Sequence, residues 1–194
     1  MNELAEVARD LAFLRDRVSE RSVQPSSTIF YLWAGIVVVG CGLTDLRPAS
    51  AAVIWLAITL PGGAASFWLG SRASREAGTS NPRALRRCAL HWGGLIGASV
   101  LLGLVHGVGG VAAEEIGASM LFVASVSYYY AGVHIHRLFL WVAGVQGLCW
   151  LVVILAPGTP WTVLGLAIAA GLVGSGLSTS ASREPSEPHL KIER

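Results

Sequence analysis

From residue 138 to residue 182 the chain carries no Asp, Glu, Lys or Arg. Four further uncharged stretches precede it, at 22–44, 48–71, 88–113 and 116–136. A soluble helix needs a polar face to meet water, and these stretches offer almost none. Lipid suits them, because about 20 mostly apolar residues cross the hydrocarbon core as a helix. A helix also satisfies its own backbone groups there. The last stretch is too long for one crossing, and Pro157-Gly158-Thr159-Pro160 supplies a turn within it. The pattern predicts an all-α fold, a six-span transmembrane helical bundle. The expected spans lie near 28–43, 48–70, 88–110, 116–135, 138–156 and 161–177.

Composition points the same way. Of 194 residues, 53% are hydrophobic and 13% charged, where a soluble domain has about 25% charged. Such a chain cannot cover a water-facing surface of ordinary polarity. The net charge of +2 is small and the basic residues fall in short loops. The lipid bilayer is therefore the expected partner, and nucleic acid is not. Lys191 is the one lysine among fourteen basic residues, in a chain rich in Ala, Gly, Val and Leu. That usage suggests a GC-rich bacterial genome and hence a bacterial plasma membrane. Cys41, Cys88 and Cys149 lie in or beside apolar stretches, and none forms a CxxC pair. An odd count without paired spacing is no disulfide framework, so they are expected as small buried apolar residues. The charged, helix-patterned N-terminus is unlike a cleavable signal peptide.

The segment 72–87 fixes the orientation. It holds Arg72, Arg75, Arg83, Arg86 and Arg87 against one acid, Glu76. With a cytoplasmic N-terminus, the inner regions are 1–27, 71–87, the bend at 134–137 and the tail. They contain thirteen of the fourteen basic residues, and the outer loops hold only Arg47. Cytoplasmic loops carry an excess of Lys and Arg. Both termini are therefore expected inside. Trp33, Trp68, Trp92, Trp141 and Tyr128 to Tyr130 fall toward inner span ends, with Trp161 at the outer side, and read as interface belts. Trp55 and Trp150 lie deeper.

Residues 1–27 are expected to form a cytoplasmic N-terminal amphipathic helix and its linker. Leu4, Val7, Leu11, Leu14 and Val18 recur at heptad spacing. Five acids and four arginines cover the other faces of 2–22. A helix this short is marginal alone in water, so its stripe must pack on something. Membrane-surface helices are rich in Lys and Arg, and this one is charge-balanced. Contact with a protein is expected, either a second copy in a homo-oligomer or another partner. The tail, 178–194, is polar with Pro185 and Pro188, and is expected to be disordered.

Few features could carry chemistry. Pro61-Gly62-Gly63 lies mid-way along the second span. Proline there removes a backbone hydrogen bond, and a kink of more than about 20° is expected. Opened helices at the midplane bind substrate in many transporters, but packing is the plainer reading. Gly93 and Gly97, Gly103 and Gly107, and the Ala167, Gly171, Ser175 series have spacings that let helices approach closely. Internal packing of the bundle is their expected use, with a dimer face or a substrate path as the alternative.

His91, His134 and His136 fall near one membrane face with Cys88 close by, and could form a metal or haem site. His91 and His106 lie on one span in a two-haem-like arrangement, yet the matching pair on a second helix is missing. Neither metal nor cofactor is therefore expected. No span carries a charge at mid-membrane, against a proton pump or charged-substrate carrier. Ser119, Ser125 and Ser127 lack a paired base and are expected to bond backbone or neighbouring helices. The expected function is a non-enzymatic accessory or regulatory membrane subunit acting through its N-terminal helix. The alternatives are a small transporter or channel for an uncharged solute, and then a haem- or metal-binding redox protein.

Overall fold

A computed structural model describes residues 7, 11, 26–76 and 82–181. Every regular element among them is helical: α1 (Ser27–Leu46), a 3-10 turn (Pro48–Ser50), α2 (Ala51–Glu76), α3 (Pro82–Val108), α4 (Ala113–His134), α5 (Leu138–Leu155) and α6 (Trp161–Ala181). Among the described residues, six helices are long and apolar enough to cross a membrane. The chain is an all-α bundle with the span count its charge pattern predicts.

Helix ends differ from the expected boundaries, for local reasons. α2 runs on through Arg72 and Arg75 to Glu76, and α3 already includes Arg86 and Arg87. The arginines thus ride on helix ends, where straight-chain residues are good helix formers. Arg72 Nε donates to Glu76 Oε1 at 2.7 Å, one turn on. α6 passes the expected tail boundary at Leu177 and ends at Ala181. There Thr179 and Ser180 bond back to the carbonyls of Ser175 and Gly176, which satisfies hydroxyls that would otherwise face apolar surroundings. Residues 182–194 lie outside the described residues, as do Leu4, Leu14 and Val18 of the N-terminal stripe.

Except for α2 and α3, helices adjacent in sequence pack extensively on one another. α1 packs on α2, α3 on α4, α4 on α5 and α5 on α6, and α6 returns to α1 in the most extensive pairing. Small residues make that pairing close: a Cβ on Gly165 would stand 2.7 Å from Cys41 Cβ and 3.3 Å from the Val37 carbonyl. In lipid, where tails are as apolar as leucine, such packing takes over from the hydrophobic effect. Phe30, Val142, Leu164, Ile168 and Leu172 fill the core. α2 and α3 are peripheral. Of the described side chains on them, only Gly62 is buried.

The aromatic residues divide. Trp68 and Trp141 are 60% and 74% exposed, as interface residues would be. Trp92 instead turns inward, edge-on to Tyr128 at 5.2 Å and to Phe139 at 5.7 Å between ring centroids. Trp33 packs against the core and donates to Ser66 Oγ at 2.9 Å. The two deep tryptophans are also accounted for. Trp55 Nε1 donates to Thr44 Oγ1 at 3.1 Å, and Trp150 packs on Phe122 at 5.1 Å. A buried indole is tolerated where its ring finds a partner ring or its N–H an acceptor.

Candidate functional site

α2 continues unbroken through Pro61. Gly62 is buried, and a Cβ on it would collide with Ile36 Cδ1. Trp33 stands beside it, and a Cβ on Gly63 would meet Ile96 Cδ1 at 3.6 Å. Ser66 Oγ donates to the Gly62 carbonyl at 2.8 Å. Pro61 itself is exposed. The Pro61-Gly62-Gly63 segment therefore serves contact with α1 and α3, with Ile36 lying where a side chain at position 62 would project.

Each histidine among the described residues has a contact within its own helix or turn. His91 stands edge-on to Trp92 at 4.9 Å, and its Nε2 is buried without a hydrogen-bond partner. His134 stacks on Tyr130 at 6.2 Å with the rings nearly parallel. His136 Nδ1 accepts from the Leu138 N–H at 3.3 Å and so covers a free amide at the start of α5. That bond requires an unprotonated Nδ1. Burial of the ring, and then the neighbouring Arg137 charge, push the His136 pKa below its ordinary value. His106 Nδ1 lies 2.8 Å from the Leu102 carbonyl one turn back. Among the described residues, no three His, Cys, Asp or Glu side chains gather as a metal group.

The first glycine pair in α3 departs from the expectation. Gly93 and Gly97 are exposed, with nothing within 4 Å of where a Cβ would stand. The spacing alone did not reveal that α3 sits at the periphery. Gly103 is closer, with Met120 Cε at 3.4 Å, and Gly171 faces Val145 at 3.2 Å. Ser125 behaves as expected of a span serine: its Oγ donates to the Ala143 carbonyl of the neighbouring helix α5 at 2.9 Å. Gln146, the one amide side chain within the spans, escaped the sequence reading. It is buried, and its Oε1 has no partner among the described residues.

Between α4 and α5 lies a lateral groove of about 590 Å³. Val126, Tyr129 and Tyr130 form one wall, and Leu140 and Gly144 the other. Its shape follows from three glycines. A Cβ on Gly132 would stand 2.8 Å from the Leu140 amide nitrogen, so the helices close near their shared turn. At Gly147 the contact with Ser125 Oγ, 3.2 Å from a would-be Cβ, closes them again further along. Gly144 has open space where its side chain would be. Sequence inspection missed this groove. The signal was present as one glycine on the helix face that also carries Arg137 and Leu140, at intervals of three and four.

Comparison with family models, with curated proteins and with solved structures gives no match to this chain.

Proposed function

We propose that this multi-pass membrane protein is a non-enzymatic accessory or regulatory subunit of a bacterial plasma membrane. Both termini face the cytoplasm, and the N-terminal helix engages a protein partner. What supports the reading is the heptad-spaced apolar series Leu4, Val7, Leu11, Leu14 and Val18 in the sequence. Val7 and Leu11, one turn apart on it, are helical and 55% and 62% exposed. Exposed apolar residues on a charge-balanced helix favour contact with another protein over anionic lipid. The thirteen-to-one division of basic residues supports the orientation.

The transporter reading rested on Pro61-Gly62-Gly63, and the packing of Ile36 and Trp33 there gives that segment a structural role. The redox reading rests on the histidines, of which His91 contacts Trp92, His134 stacks on Tyr130 and His136 accepts from the Leu138 amide. Replacing Leu11 and Leu14 by Glu tests the proposal. The substituted protein should insert normally but lose its oligomeric state or its stoichiometric partner, read by native mass spectrometry after mild solubilisation. If both survive, the proposal fails.

A further inference from the structure

The groove between α4 and α5 opens sideways, onto surface that a bilayer covers. Tyr129, Tyr130 and Leu140 on its walls are all exposed. Arg137 continues the stripe of Leu140 and Gly144 toward the α4–α5 turn, since residues three and four apart share a helix face and its φ and ψ are helical. Arg137 is exposed and makes no salt bridge among the described residues. Arg137 thus stands about one turn beyond the Leu140 end of an apolar groove, on the same helix face.

We propose that this groove holds one acyl chain of an anionic phospholipid whose phosphate meets Arg137. An acyl chain gains little hydrophobic free energy by leaving bulk lipid for a protein groove, because both are apolar. Selection must come from the headgroup. A guanidinium offers a planar fork of donors that matches phosphate oxygens, and tyrosine hydroxyls favour the same depth. The charge complementarity selects lipid over a second copy of the chain, which would bring no anion to Arg137 by symmetry. The assignment holds whichever side of the membrane the turn faces, and it is independent of the N-terminal helix.

The test uses the full chain, delipidated in detergent and titrated with dioleoyl phosphatidylglycerol or dioleoyl phosphatidylcholine, read by native mass spectrometry. Wild type should retain one phosphatidylglycerol with a preference of about fivefold, the effect of one arginine near a lipid phosphate. Arg137→Gln should abolish the preference and leave phosphatidylcholine binding unchanged. Gly144→Leu should remove the retained lipid of either kind, because it fills the open space. Val126→Trp fills the groove from the opposite wall and should do the same. Equal retention of the two lipids by wild type overturns the proposal, as does a preference that survives Gly144→Leu. A dimer that Gly144→Leu dissociates would also overturn it, because the occupant would then be a second copy. Should neither filled variant fold, the Arg137→Gln comparison decides alone.

Discussion

Asp45, at the end of α1, caps the start of α6. Its Oδ2 accepts from the Thr162 N–H at 2.7 Å and from the Thr162 hydroxyl, while Oδ1 accepts from the Trp161 N–H at 2.9 Å. The first amides of a helix have no partner inside it, and α6 begins directly after Pro160 without a side-chain cap of its own. A carboxylate there also meets the positive end of the helix dipole. The cap joins the two ends of the six-helix array, far apart in sequence. Loss of such a cap costs about 0.5–2 kcal/mol. Asp45→Ala should destabilise within that range and Asp45→Asn by less, since the amide oxygen still accepts while the charge is gone. Unfolding by sodium dodecyl sulfate in mixed micelles measures both. Equal stability of Asp45→Ala and wild type would contradict the role.

Two glycines of similar sequence context should respond in opposite ways. Gly165 faces Cys41 Cβ and the Val37 carbonyl, neither of which can swing aside as a long side chain could. Gly165→Ala forces α1 and α6 apart and should cost about 1–3 kcal/mol, the usual range for overpacking. Gly97 faces open space, and Gly97→Ala should stay within about 0.5 kcal/mol of wild type. The same micelle titration compares them, and a larger loss at Gly97 would mean that α3 has a partner on that face.

What could be read in advance follows from the scale of the free energies. A charge inside lipid is costly enough that uncharged stretches mark six spans by inspection. The serine expectation also held at Ser125, because a hydroxyl in lipid must find an acceptor. Which small residues pack, and against what, depends on helix rotation about the long axis. Low amphipathicity leaves that rotation unmarked in sequence. Gly93 and Gly97 are exposed where internal packing is expected, while Gly165 and Cys41, which carry no GxxxG spacing between them, bring α1 and α6 close together. Depth alone places Trp92 in an interface belt, but its ring lies against Tyr128 of α4 and Phe139 of α5. The α4–α5 groove was illegible for the same reason.

The α4–α5 turn should respond to acid. His136 Nδ1 accepts from Leu138, and burial followed by the Arg137 charge lowers its pKa. With the folded value below the unfolded one, its stabilising share is full above about pH 6.5. That share fades as pH falls through the folded value. His136→Asn keeps an acceptor oxygen without a proton to gain in this range. Stability of wild type should fall relative to His136→Asn as pH is lowered from about 7.5 to 5. Parallel profiles would show that the bond does not couple to protonation.

The orientation is open to a direct test. Thirteen basic residues stand on one side of the alternating spans and Arg47 alone on the other, which predicts a cytoplasmic 77–81 segment and an outer 156–160 turn. Cys41, Cys88 and Cys149 should first be replaced by serine or alanine, with folding confirmed by retained micelle stability. Single cysteines are then placed at Ser80 and at Ala156. Ala156 is preferable to Gly158, whose φ of 87° disfavours any side chain. In intact cells a membrane-impermeant maleimide should modify Ala156→Cys and spare Ser80→Cys, and lysis should open Ser80→Cys to the reagent. Labelling of Ser80→Cys from outside would invert every loop. The N-terminal stripe would then face away from any cytoplasmic partner, and the regulatory proposal would fall with the orientation, while the lipid groove between α4 and α5 would simply change leaflet.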